Sequence, residues 1–219
     1  MKWSLACALF LGTIFSLAAC ATPAFYSAKE IHGQIVDAET GQPIEGAVVV
    51  GQWVLFHIGI GHGGHKSRIH IHETVTDKDG KYVIPAWGPK PHPPMTELHD
   101  RDPDILIFKS GYEPQVLTNS VVREDAVRVS EWDGKTVKLM RTKRSLEDYA
   151  QRLESMSISL PREGKEWRTF PRMILALDAE NRRLLSLGLN KKYRTSIFEI
   201  EHFDQSDKDY LKRFENARR

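Results

Sequence analysis

Between residues 31 and 140 the apolar residues fall in short runs, and the polar residues that separate them are turn formers. Ile31-His32-Gly33-Gln34-Ile35-Val36 breaks at Asp37-Ala38-Glu39-Thr40-Gly41-Gln42-Pro43. Ala47-Val48-Val49-Val50 follows, and Thr74-Val75-Thr76 leads through Asp77-Lys78-Asp79-Gly80 into Lys81-Tyr82-Val83-Ile84. Gly41 and Gly80 stand where a turn requires positive φ, and Pro43 fixes φ as the chain leaves the first turn. Asp79-Gly80 between two β-rich runs predicts a hairpin. The spacing predicts seven strands: 31–36, 46–56, 69–76, 82–85, 104–109, 114–117 and 136–140. Seven short strands with turns between them suit a β-sandwich. The stretch Trp87-Gly88-Pro89-Lys90-Pro91-His92-Pro93-Pro94 is proline-dense and is expected to stay outside any sheet ladder.

Past Arg141 the period changes. Ser145 with Asp148 three residues on predicts a helix N-cap, and Leu146, Tyr149, Leu153 and Met156 recur at helical spacing. Pro161 ends that segment. Pro171 opens a second helix, with Ile174, Leu177, Leu184 and Leu185 along one side and Gly188 past its end. A third short helix begins near Asp204 and carries Tyr210, Leu211 and Phe214. Residues 143–219 are therefore expected to form a helical region packed on the sandwich through its apolar stripes.

The first thirty residues follow a different pattern. Lys2 and the apolar run Leu5 to Leu17 read as a signal peptide too short to span a bilayer, residues 1–19. Leu17-Ala18-Ala19-Cys20 resembles a bacterial lipobox, which implies cleavage before Cys20 and acylation of its thiol. Residues 20–29 are then a tether, and Ala21 after the cysteine implies an outer-membrane location facing the periplasm. Cys7 leaves with the signal peptide, so the mature chain has no second cysteine for a disulfide or a thiolate zinc site.

Composition narrows the function without naming it. With 219 residues, 41% hydrophobic and 27% charged, the chain has room for one sandwich and a smaller appendage. A net charge of +2 is too small to imply nucleic acid as a partner. The most chemically suggestive stretch is 57–73, which holds five of the nine histidines, His57, His62, His65, His70 and His72, beside Glu73. His70 and His72, one residue apart on a strand, leave the same face and can chelate zinc, copper or nickel, with His62 or His65 brought in by the glycine-rich 59–64 loop. The other reading is a solvated polar face with Ile69 and Ile71 turned to the core. His70-Ile71-His72-Glu73 is also similar to the zinc motif of metallocarboxypeptidases, whose large catalytic domain this chain has no length to hold. Asp100, Asp102 and Asp104 are spaced for calcium, but Pro103 interrupts them and a solvated acidic turn is expected. No phosphate-cradling loop or nucleophile elbow occurs, so neither an enzyme nor any cofactor beyond those metals is expected.

The turn residues carry one further resemblance. Asp37, Thr40, Gly41, Pro43, Ile44, Gly46 and Ala47 match the first signature of the carboxypeptidase regulatory-like domain, and Thr76, Asp77, Gly80 and Tyr82 match the second. Gly111-Tyr112 is similar to a third landmark. The resemblance covers residues 30–142 and implies a seven-stranded prealbumin-like β-sandwich serving as an accessory module. The expected molecule is mainly β with an α appendage. It is a lipid-anchored envelope protein whose sandwich binds or scaffolds an envelope protein or glycan without catalysis. The alternative is a periplasmic metal-binding protein using 57–73.

Overall fold

The computed structural model describes residues 23–58, 66–122, 125–161, 164–190 and 200–215. Eleven strands run among these residues: β1 Phe25–Ala28, β2 Ile31–Asp37, β3 Val48–His57, β4 Lys66–Val75, β5 Lys81–Ile84, β6 Trp87–Pro91, β7 Thr96–Leu98, β8 Asp104–Phe108, β9 Gln115–Leu117, β10 Val127–Arg128 and β11 Lys135–Leu139. Three α-helices follow: α1 Leu146–Ser157, α2 Pro171–Ser186 and α3 Gln205–Glu215. The protein is mainly β, with the helices at its C-terminal end.

The strands form two principal sheets. The larger has the order β4-β3-β8-β9, with β7 paired to the end of β3, and the smaller has the order β11-β2-β5. Ile31, Ile35, Ile84 and Leu139 of the smaller sheet pack against Val49, Trp53, Ile105 and Ile107 of the larger, which makes a β-sandwich. The opposite face of the larger sheet is covered as well. Val48, Val50, Leu106 and Phe108 point away from the sandwich core into a second cluster with Tyr149 and Leu153 of α1 and Ile174 and Leu177 of α2. A central strand buried on both faces must be apolar at consecutive positions, which is why 47–50 and 105–108 read as unbroken hydrophobic runs.

All seven expected strands are present, and the helix boundaries follow their sequence signals. Ser145 Oγ accepts from Asp148 N at 3.1 Å, Pro171 is the first residue of α2, and Asp204 Oδ1 accepts from Asp207 N ahead of α3. Other expectations fail. The Asp77–Gly80 turn forms, with Gly80 N donating to Asp77 O at 2.9 Å, but it is not a hairpin. It carries the chain from β4 in the larger sheet to β5 in the smaller, where β5 pairs with β2. Gly80 has φ 71°, and a Cβ there would lie 2.4 Å from the Ile35 carbonyl oxygen, so the crossing needs glycine twice over.

The proline-dense stretch does join a ladder. Trp87–Pro91 is β6, antiparallel to β1 with Phe25 opposite Pro91 and Tyr26 opposite Lys90. It is an edge strand with one partner, so Pro89 and Pro91 lose no bond on the open side. Its partner β1 lies inside the stretch read as a tether, and β10 completes this third sheet.

The acidic turn is also unlike the expectation. Asp102 is buried, with Arg128 Nε 3.3 Å from its Oδ1, and Arg128 is buried with it. Burial pushes the Asp102 carboxyl up to about 7 while Arg128 pulls it back. Asn119 bridges the Asp102 and Val129 carbonyls, so the turn is pinned and is no open calcium loop.

The signature residues prove to be structural. Asp37 accepts from the Thr40 and Glu39 amides, the Tyr112 hydroxyl and Arg141 Nε, all within 3.0 Å. The Thr40 amide first, then Tyr112, Glu39 and Arg141, outweigh burial and hold its carboxyl well below the usual carboxylate range. Thr76 Oγ1 donates to Ile44 O at 2.7 Å and accepts from Ala47 N at 2.8 Å, tying the second signature to the first. Tyr82 lies flat over Gly33, where a Cβ would meet the ring at 2.4 Å. Gly33→Ala is expected to lower stability by about 1–3 kcal/mol through overpacking, measured as a lower urea midpoint with an unchanged m-value.

Candidate functional site: a charged cleft at one end of the sandwich

The histidine pair lies on β4 beside the centre of β3. Two β4 residues, Ile69 and His70, oppose Trp53 across a one-residue bulge, and His72 opposes Gly51. His70 and His72 thus share a face, as their spacing predicts, and that face turns toward the sandwich side, with both residues half-buried. The His70 ring sits between Trp53 and Trp87, at centroid distances of 5.7 and 5.2 Å. Lys90 Nζ lies 3.0 Å from His70 Nδ1 and donates to the Ile69 carbonyl at 2.9 Å. The His70 Nδ1 lone pair therefore already accepts from an ammonium. His57 bonds to Ser67 Oγ, while His62, His65 and the lipidation candidate Cys20 lie outside the described residues. Among the described residues no three of His, Cys, Asp and Glu gather as a metal-binding group.

Burial lowers the His70 pKa to about 4 from an ordinary 6.5, with Lys90 and His72 adding to the shift. The folded ring is harder to protonate than the unfolded one. Stability is therefore lost as pH falls from about 6.5 toward 4 and is fully present above that window. A proton NMR titration of the His70 Cε1–H is expected to show no midpoint between pH 5.5 and 8, and Lys90→Met to move the midpoint up.

Glu73 adjoins His72 in sequence but leaves the other face of β4, and this separates it from any His-x-x-Glu chemistry. Its Oε1 accepts from Met173 N at 2.7 Å and its Oε2 from Arg172 N at 3.1 Å, with Arg172 Nη1 3.6 Å from Oε2. Phe170, at the N-cap of α2, offers no side-chain acceptor. A strand carboxylate thus does the capping that the helix's own sequence omits. Burial pushes the Glu73 carboxyl up to about 7 against the two amides and Arg172, which pull it down.

Beside this contact lies a cleft of about 980 Å³ between α2 and the end of the larger sheet. Val48, Val75, Phe108, Ala176 and Ala179 give it an apolar floor, and Lys109, Arg172 and Arg183 bring three cations to its lining. Glu180, buried, accepts from Ser110 Oγ at 2.6 Å and from Arg183 Nε and Nη2 at 2.9 and 2.7 Å. Burial works against its ionisation, but Arg183 and Ser110 outweigh it and hold the carboxyl below its ordinary value. Lys109 Nζ donates to the Glu45 carbonyl at 2.6 Å. The arginines are held in place by buried carboxylates, and a five-donor guanidinium keeps further N–H groups for a ligand. Glu45, Glu73 and Glu180 bring three carboxylates to the same lining, so the cleft presents both signs of charge over an apolar floor.

No motif in the sequence assembles this cleft. The available signal was the α2 start itself, Phe170-Pro171, which lacks a Ser, Thr, Asp or Asn cap and so requires an acceptor from elsewhere.

No protein-family model matches the chain, and no curated protein matches it. Among solved structures the chain is similar to a streptococcal ancillary pilin, at 14% identity and a TM-score of 0.26 over 53% of this chain and 30% of that one. It is similar to the C-terminal domain of the shaft pilin SpaA from Lactobacillus rhamnosus GG, at 13% identity and a TM-score of 0.25 over 55% and 100%. A 9R-lipoxygenase from Cyanothece gives 14% identity and a TM-score of 0.28 over 78% and 25%. The chain spans less than a third of the streptococcal pilin and of the lipoxygenase. Likenesses of this extent carry no argument about activity.

Proposed function

We propose that this protein is a lipid-anchored component of a bacterial cell envelope whose β-sandwich, of the carboxypeptidase regulatory-like kind, is a non-catalytic binding or scaffolding module. Acylated at Cys20, it sits at the outer membrane and faces the periplasm. The observation that carries the reading is the polarity of the molecule. The N-terminal chain enters β1 beside the β3 end at His57, where Met95 and Thr96 close the sheet, whereas the cleft opens at the β3 start beside Val48. Ten strand residues, about 30 Å at 3.3 Å per residue, separate anchor side from ligand side. The ligand is an envelope protein or glycan that meets the apolar floor and the mixed charges of the cleft.

Radiolabelled palmitate tests the anchor: the label is expected in the wild type and absent from Cys20→Ser. A photo-crosslinker placed at Ala179 in living cells tests the cleft. It is expected to give an adduct of fixed mass that a crosslinker at Val83 does not give and that Arg183→Glu abolishes. No adduct from Ala179 overturns the binding reading while leaving the anchor intact.

A second reading, a periplasmic transition-metal-binding protein, is favoured by one observation, the shared face of His70 and His72. It requires the metal to displace Lys90 from His70 Nδ1. Submicromolar binding of zinc or copper that is lost in the His70→Ala/His72→Ala double variant carries this reading. Weak binding that the double variant leaves unchanged removes it.

A further inference from the structure

Three large apolar side chains are exposed at the end of the sandwich where the N-terminal chain enters. Phe25 opens β1 at 56% exposed, Ile58 follows β3 at 56%, and Met95 precedes β7 at 69%. Backbone bonds join them into one surface region. His92 N donates to Ala24 O at 3.0 Å, and Ile58 N donates to Met95 O at 2.8 Å.

Met95 has φ 58°, the one positive φ outside glycine among the described residues. Glycine or asparagine would take this conformation at lower cost, so its placement calls for a reason beyond the turn. The turn is braced on both sides. Thr96 Oγ1 donates to Pro93 O and His92 Nε2 to Thr96 O, each at 2.7 Å. The bracing holds an exposed thioether at the tip. Charge does not explain the region, because Lys66 and Glu97, the cross-strand neighbours of Phe56, offset one another.

We propose that this end seats the protein on the bilayer, with Phe25, Ile58 and Met95 inserted at the membrane interface and the α2 cleft held away from it. The inference rests on the lipid-anchor reading above. From Cys20 to Pro23 a fully extended chain spans at most about 11 Å. An acyl group on Cys20 therefore brings this end of the sandwich to the headgroups. Buried apolar area, not attraction to anionic lipid, then fixes the orientation.

The mature chain has no thiol apart from Cys20, so one introduced cysteine reports on one position. The acylated full-length protein is reconstituted in vesicles of phosphatidylethanolamine and phosphatidylglycerol. An environment-sensitive fluorophore is attached at Met95→Cys or at Leu187→Cys, the latter beyond Arg183 on the cleft side. The label at 95 is expected to shift to the blue and to be quenched roughly twofold by lipid carrying a headgroup-proximal nitroxide, with neither effect at 187. Phe25→Ser with Ile58→Ser, both at exposed positions, is expected to reduce that quenching with circular dichroism unchanged. A solvated label at 95 in palmitate-labelled, vesicle-bound protein overturns the proposal alone. Equal quenching at 95 and 187 overturns the upright orientation. Absence of palmitate label overturns the anchor reading and this proposal with it.

Discussion

Glu73→Ala is expected to cost about 2–4 kcal/mol of folding stability and to loosen α2 from the sheet. The first turn of α2 shows why. Pro171 has no N–H, Ile174 N reaches Phe170 O at 3.4 Å, and the Arg172 and Met173 amides depend on the Glu73 carboxylate. Alanine leaves two buried donors unpaired and frees Arg172, which forms one side of the cleft. Hydrogen exchange at Arg172 and Met173 is expected to accelerate more than at Tyr149 or Leu153 of α1. The pH dependence has a definite sign. The folded carboxyl, at about 7, takes up its proton more readily than the unfolded one at 4.5. Its contribution is complete below 4.5 and is lost as pH rises through 7, so stability falls across that window. Glu73→Gln keeps one acceptor oxygen, costs less than alanine, and flattens the slope. An alanine variant as stable as the wild type, with unchanged exchange, would show that packing alone docks the helix.

What the sequence makes legible here follows from how local each determinant is. Gly80 and Gly41 announce their turns because positive φ is a property of single residues, and Ser145 and Pro171 announce helix starts for the same reason. Which sheet a strand joins is not local. The Asp77–Gly80 turn has the same residues whether the chain doubles back or crosses layers; the outcome depends on Tyr82 and Ile84 finding the core opposite Gly33 and Gly51. Pro89 and Pro91 exclude a central strand but not an edge, and sequence does not say that β6 has one neighbour. The cleft is the least local feature, because its lining comes from 45–48, 73–76, 108–110 and 172–183. Glu73 illustrates the difficulty: its chain neighbour His72 suggests a metal, and the period-two alternation of a strand sends the two side chains to opposite faces.

Trp53→Ala is expected to be among the most damaging single substitutions in the sandwich, at about 3–5 kcal/mol. The indole is fully buried at the centre of β3, in edge contact with Trp87 at 5.2 Å and beside His70. Truncation removes the lost side chain's transfer free energy and leaves a cavity that the β4 ladder at Trp53 and the β8 ladder ending one residue before it prevent from closing. It also admits water to His70, so the depressed pKa of that ring is expected to rise toward 6.5 in the same variant, a coupled change that a general loss of packing elsewhere would not produce. Trp53→Phe separates volume from polarity. The indole Nε1 has no hydrogen-bond partner among the described residues, so phenylalanine deletes an unsatisfied N–H while keeping an aromatic face for Trp87. Its cost is expected to be below about 1.5 kcal/mol, with the His70 midpoint still near its wild-type value. If alanine and phenylalanine proved equally mild in urea unfolding, β3 would not be the centre about which the sheet, the aromatic stack and Lys90 are arranged.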